Sequence, residues 1–160
     1  MPRIEVITKI RASIDMVFDL SRSIDVHQLS QTTHEEKAIG GRVSGLIELN
    51  EEVTWEALHF GIRQRLSSRI VSMSRPSHFR DSMIKGAFRR FDHDHFFVES
   101  AYGVTTVRDV FDYTSPFGLI GMLADFAFLK RYMRRLLVER NLVIKKVAES
   151  EDYEKFTKPA

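Results

Sequence analysis

Phe91-Asp92-His93-Asp94-His95-Phe96-Phe97-Val98, then a Ser100 to Gly103 turn, then Thr105-Thr106-Val107-Arg108-Asp109-Val110-Phe111-Asp112-Tyr113: this stretch decides the architecture. In a strand, alternate side chains share a face. Phe91, His93, His95 and Phe97 therefore fall together, opposite Asp92 and Asp94. In the second run Thr105, Val107, Asp109, Phe111 and Tyr113 share a face, opposite Arg108 and Asp112. Two such runs joined by a few turn residues make an antiparallel pair, not a βαβ unit.

The pattern extends backward. Further candidate strands are Leu46 to Phe60, Ile62 to Met73, Phe79 to Lys85 and Phe88 to Val98, with turns at Arg75-Pro76-Ser77 and Lys85-Gly86-Ala87. Gly40-Gly41 reads as a break ahead of them. In the Phe79 run, Phe79, Asp81 and Met83 share a face, opposite Arg80 and Ser82. Val53, Trp55 and Ala57 keep one phase while Phe60 and Ile62 keep the other, so a bulge or sharp bend is expected at Gly61. Before the meander, Arg3 to Ile10 alternates as a strand. Ser13, and then Ser23 or Asp25, can cap two short helices ending near Leu20 and Gln31. After Ser115-Pro116 a helical repeat runs from Gly118 to Ala148 through Leu119, Met122, Phe126, Leu129, Met133 and Ile144.

The expected class is therefore α+β: a curved antiparallel sheet, two short helices, and a long C-terminal helix across its concave face. A chain of 160 residues can bury one core of this kind. The domain is placed at residues 1–150, with residues 151–160 as a flexible tail. A helix laid over a curled sheet leaves a volume that side chains need not fill, and function is sought there.

Cysteine is absent, which removes disulfides, thiol catalysis and thiolate metal sites together. The start, Met1 to Val6, has no apolar signal core, so a cytoplasmic location is the default expectation. Net charge is only +2, but Lys130, Arg131, Arg134, Arg135, Arg140, Lys145 and Lys146 crowd one segment against Asp125 and Glu139. That run reads as a solvated face, or as one making weak contact with an anionic membrane surface. Aromatic residues are not interleaved with these charges as base stacking requires, so nucleic acid is not an expected partner. The apolar run Phe117 to Leu129 is too short to span a bilayer.

Several motifs stand in a distinctive order: Val53-Thr54-Trp55-Glu56-Ala57-Leu58-His59-Phe60-Gly61, Pro76-Ser77-His78-Phe79-Arg80-Asp81, Gly86-Ala87-Phe88, His93-Asp94-His95, Thr105 to Asp109, and Pro116-Phe117-Gly118. With the element order over about residues 3 to 148, the chain resembles the START-like (SRPBCC) superfamily, which contains birch-pollen-type allergens, lipid-transfer domains and polyketide cyclases. Within it the motifs look like a bacterial branch labelled polyketide-cyclase-like or cell-division inhibitor. The resemblance implies a helix-grip fold with an apolar cavity for a small hydrophobic or amphipathic ligand. It implies no single reaction.

For that cavity the expected lining is Trp55, His59, Phe79, Met83, Phe91, Phe97, Val107, Phe111, Phe117, Met122 and Phe126. Trp55 is suited to plugging the core before it is suited to holding a ligand, and His59 to bonding the backbone at the Gly61 bend before touching one. Asp81, His93, His95 and Asp109 enter the cavity if the aromatic faces line it. There they form an acid–base cluster suited to an aldol-type cyclisation, or cross-strand pairs that satisfy buried polar groups. His-x-His with Asp81, Asp109 or His59 also has the composition of a three- or four-ligand metal site. The resemblance suggests no metal, and neither a metal nor another cofactor is assigned. Three functional readings follow: a binding or carrier module, a cyclase- or aromatase-type enzyme, and a ligand-sensing regulatory protein.

Overall fold

The computed structural model describes residues 2–116 and 128–157. Strand β1 (Arg3–Ile10) leads into helices α1 (Ile14–Ser21) and α2 (Ile24–Ser30). Strands β2 (Lys37–Gly41), β3 (Glu52–His59), β4 (Ile62–Ser74), β5 (His78–Lys85), β6 (Arg90–Glu99) and β7 (Thr105–Thr114) follow as an antiparallel meander. The sheet order is β1-β7-β6-β5-β4-β3-β2, so the first strand returns beside the last, Ile4 facing Phe111 and Thr8 facing Val107. Helix α3 (Lys130–Ala148) closes the domain. Of the expected helix before it, residues 118–127, with Met122 and Phe126, lie outside the described residues, as does Phe117.

Local chemistry explains the junctions. Ser13 Oγ accepts from the Met16 amide at 3.4 Å and Ser23 Oγ from the Val26 amide at 3.3 Å, each satisfying an orphan donor of a short helix. Between the helices, Arg22 is 4% exposed. Its guanidinium donates to Asp19 and Glu48, each at 2.8 Å, and to the Ile47 carbonyl at 3.1 Å, fixing the helical pair to the segment before β3.

Three expectations need correction. Gly40-Gly41 does not break the chain but ends edge strand β2, paired with β3. Gly41 has φ +68°, and a Cβ there would overlap the Glu52 carbonyl, so only glycine lets the two backbones approach. β3 starts at Glu52 rather than Leu46, because Asn50 takes φ +68° in a turn just before it. At Gly61 the parity switch is a two-residue hairpin turn, with φ +53° at Phe60 and +73° at Gly61 and His59 paired to Ile62. Residues 151–157 form a 3₁₀ turn (Glu151–Tyr153) and a short helix α4 (Glu154–Thr157). Tyr153 and Phe156 pack on the core.

The core lies where α1 and α3 meet the sheet. Phe18 is 1% exposed and sets its ring edge-on to Phe79 at 5.6 Å and Phe97 at 5.3 Å. Burying a ring of that size contributes about 1.5–3 kcal/mol. A second cluster joins Ile4, Val6, Phe91, Phe111 and Tyr113 to Leu137 of α3. On α3, Leu137, Arg140, Asn141, Ile144, Val147 and Ala148 are buried at the three- and four-residue spacing of one helix face. Two cations of the basic run bond the free edge of the sheet: Arg134 donates to the Glu5 carbonyl at 2.7 Å and Lys145 to the Lys9 carbonyl at 2.9 Å. Those bonds use acceptors that would otherwise template another strand.

Candidate functional site

Between the sheet and α3 lies a cavity of about 540 Å³. The sheet supplies Val53, Trp55 and Ala57 of β3, Leu66, Ser68 and Ile70 of β4, and Phe79, Phe91 and Phe111 beyond them. Helix α3 supplies Tyr132, Met133, Leu136, Leu137 and Arg140. Of the expected lining, Trp55, His59, Phe79, Phe91 and Phe111 reach the cavity. Phe97 and Val107 do not; both are 2% exposed inside the main core, because α1 covers that end of the sheet. Met83 packs beside the second core cluster instead of on the cavity wall.

Trp55 does both things asked of it. It is 7% exposed and belongs to the core, yet lines the cavity, with the His27 imidazole stacked on it at 4.2 Å. His27 in turn bonds the buried Glu36 carboxylate at 3.0 Å. Burial opposes the Glu36 charge, but the His27 charge and bond outweigh it and hold the carboxyl below its ordinary value.

At the mouth His59 bonds Tyr132 of α3, Nδ1 to hydroxyl, at 2.8 Å, not the backbone of the Gly61 bend. Burial holds the His59 imidazole below its usual value and the Tyr132 phenol above its own. Phe60 leans on Tyr132 at 4.6 Å and meets Phe128 edge-on at 5.6 Å. Phe60, Ile62 and Phe128 are nonetheless half or more exposed, at 58%, 63% and 50%.

Deeper in, the strand alternation brings four polar residues together. Asp81 faces His93, and His95 faces Asp109, across adjacent strands. His95 Nδ1 stands 2.6 Å from Asp109 Oδ1 and its Nε2 3.1 Å from Asp81 Oδ1. A carboxylate only accepts, so both His95 nitrogens donate and the ring is an imidazolium. Burial works against that charge, but the bonds to Asp109 and Asp81 outweigh it and raise the His95 pKa. His93 lies against it, ring centres 3.9 Å apart. Burial and then the His95 charge lower the His93 pKa, with the carboxylates opposing. The carboxyls of Asp81 and Asp109 are both lowered in spite of burial; the two histidines do this, and for Asp109 the result is well below the ordinary value.

Asp109 is fully buried and stands behind the histidines, outside the cavity lining. Its other oxygen accepts from Asn141 Nδ2 at 2.5 Å, and Asn141 also donates to Thr8 Oγ1 at 3.2 Å. Arg140 Nη1 lies 3.7 Å from Asp109 Oδ1, while its Nη2 donates to the Ser21 carbonyl at 2.6 Å. Arg140 and Asn141 are the residues that reading the sequence missed. Arg140 was counted with a solvated basic run, yet it is 6% exposed. The available signal was its spacing of three residues from Leu137 and four from Ile144, which puts it on the buried face of α3.

No known family's sequence profile matches the chain, and no curated relative matches it. Solved structures do. A protein from Thermus thermophilus superposes with TM-score 0.72 at 16% identity, covering 93% of this chain and 100% of that one. A START superfamily protein from Mycobacterium smegmatis gives TM-score 0.69 at 8% identity over 92% and 97% of the two chains. This chain has the START-like helix-grip fold. A major latex-like protein from Panax ginseng shares it at TM-score 0.67 and 12% identity, covering 93% and 98%. Identities this low establish the START-like architecture alone, and the chemistry must come from the side chains of the cavity. Among the described residues, no helix is long and apolar enough to cross a membrane.

Proposed function

We propose that the protein binds one small hydrophobic or amphipathic molecule between the sheet and α3. The cavity itself carries this reading. At about 540 Å³ it is of the size that takes a drug-sized guest, and aromatic and aliphatic side chains from both layers wall it. Polar groups stand at the mouth, where His59 meets Tyr132, and deeper in, at Asp81, His93 and His95, which suits a guest with an apolar body and a polar group to meet them. Covering apolar surface at about 25 cal/mol per Å² is enough to hold such a guest without a covalent bond.

Weak contact with an anionic lipid surface belongs to the same proposal. The exposed rings of Phe60 and Phe128 sit at the mouth, and Lys130 and Arg131 follow directly on α3. An apolar rim beside cations is the arrangement that touches anionic headgroups, and its affinity falls with salt.

The experiment is native mass spectrometry of the purified protein against its denatured mass, with extraction of whatever is lost. It is paired with titration of an environment-sensitive apolar dye. The expected result is a stoichiometric adduct, or saturable one-to-one dye binding that Ala57→Trp abolishes in a folded protein. Absence of both sinks the proposal. The position of a recovered molecule relative to His93 and Asp81 then separates a carrier from a cyclase-type enzyme, which needs a reacting carbon against those groups.

A further inference from the structure

His93 is buried to 6% exposure, yet neither of its ring nitrogens is well used. Nε2 has no hydrogen-bond partner. It stands 3.3 Å from Asp109 Oδ1, which accepts from His95 at 2.6 Å, but makes no hydrogen bond to it. Nδ1 is 3.8 Å from Asp81 Oδ1, beyond hydrogen-bond range. Leaving such a group unsatisfied costs about 1–3 kcal/mol, and a native fold retains that cost where the group has another use.

We propose that Asp81, His93 and His95 form a binding site for one divalent first-row transition-metal ion, of the zinc or iron(II) class. Each of the three offers a donor atom within 4.8 Å of the other two. Metal–ligand bonds of about 2.0–2.1 Å in a tetrahedron put the ligand atoms about 3.3 Å apart. The separations found, 3.1 Å from Asp81 Oδ1 to His95 Nε2 and 3.8 Å to His93 Nδ1, bracket that spacing. Small side-chain adjustments, with release of the His95 Nε2 proton to solvent as the ion binds, therefore close the site.

What stands behind the ligands supports the assignment. Asp109 lies on the far side of both rings, bonded to His95 Nδ1 and facing His93 Nε2, and is itself held by Asn141. A carboxylate behind a metal-binding imidazole fixes its tautomer and turns the opposite nitrogen's lone pair to the ion. Asp109 does so for His95, and it stands 3.3 Å from Nε2 of His93, where a small rotation of that ring would complete the second bond. Two imidazoles with one carboxylate suit zinc, iron(II), cobalt(II) or manganese(II) better than magnesium or calcium, which prefer oxygen.

Asp81 is the least buried of the three, with 19% of its side chain exposed, and it lines the cavity. The ion would therefore have an open position toward the cavity, where a guest's carbonyl, carboxylate or phenolic oxygen would bind. The metal site does not depend on the ligand-binding proposal, because its three donors are present whether or not a guest enters.

The test uses untagged, EDTA-stripped protein titrated with zinc(II) by calorimetry and with cobalt(II) by visible absorption. The expected outcome is one ion per chain, a cobalt d–d band displaced by zinc, and affinity lower by about tenfold or more in both Asp81→Asn and His93→Gln. Near-ultraviolet circular dichroism verifies that these near-isosteric variants keep the fold. His34→Ala, which removes an imidazole outside the three donors, its ring 5.2 Å from that of His59, leaves binding unchanged. The proposal is overturned by absence of stoichiometric binding, by binding that persists in both folded site variants, or by binding lost in His34→Ala.

Discussion

Replacing Asp109 by Asn keeps the volume of the most deeply buried carboxyl and removes its charge, so no cavity term enters. The carboxylate accepts on both oxygens, from His95 at 2.6 Å and from Asn141 at 2.5 Å. An amide has one acceptor. If its oxygen serves His95, its NH₂ meets the NH₂ of Asn141, donor against donor. Turning Asn141 over relieves that clash only by aiming its NH₂ at Arg140 Nη1, 3.5 Å from where its oxygen now sits. One unsatisfied buried contact costs about 1–3 kcal/mol, and losing a charge-assisted bond to His95 costs about 1.5–3 kcal/mol. The sum, about 2.5–6 kcal/mol, spans the loss of about 3–5 kcal/mol on breaking a buried ion pair from one side. For a chain of this length, at about 2–4 °C per kcal/mol, it corresponds to a Tm lower by about 5–25 °C. Urea denaturation followed by the fluorescence of Trp55, the single tryptophan, measures it directly. A loss under about 1 kcal/mol with an unchanged denaturant slope would refute the argument that Asp109 holds the cluster together.

Other perturbations reach other parts of the molecule. Gly41→Ala forces a Cβ into the Glu52 carbonyl at φ +68°, and thermal melting is expected to show a loss above about 1 kcal/mol; an unchanged Tm would mean that β2 does not need its close pairing. Glu36 has a folded-state pKa below its ordinary 4.5, so its contribution is complete above that value and is lost as the pH falls through the lower one. Glu36→Gln should therefore flatten the acid limb of stability against pH, and an identical slope would show that the His27 contact adds nothing. An apolar guest should shift or quench Trp55 emission, since the indole lines the cavity; binding with no spectral change places the guest elsewhere. Liposomes containing anionic lipid should sediment the wild type at low salt and release it at high salt, and Phe60→Ser should weaken that binding; salt-independent binding would contradict the mouth's assigned role.

The element order, the antiparallel meander and the inward parity of Phe79, Phe91, His93, His95, Asp109 and Phe111 are local properties, so alternation alone determines them. The same holds for the Ser13 and Ser23 caps, which act within three residues. Other features needed the third dimension. Phe97 and Phe91 share one strand face, yet the first is packed under α1 and the second lines the cavity, since coverage depends on where a distant helix lies. Arg140 belongs by composition to a solvated basic run, but its place on α3 points it at a carboxylate carried by β7. Tyr132 and His59, 73 residues apart, meet only because α3 returns across the β3–β4 turn. Four titratable residues on one sheet face could be read from spacing. Which carboxylate both histidines share, and which imidazole nitrogen is left without a partner, is set by strand register and by the helix behind it. Hydrogen-bond distances are tertiary quantities, and the pattern of residues along the chain does not contain them.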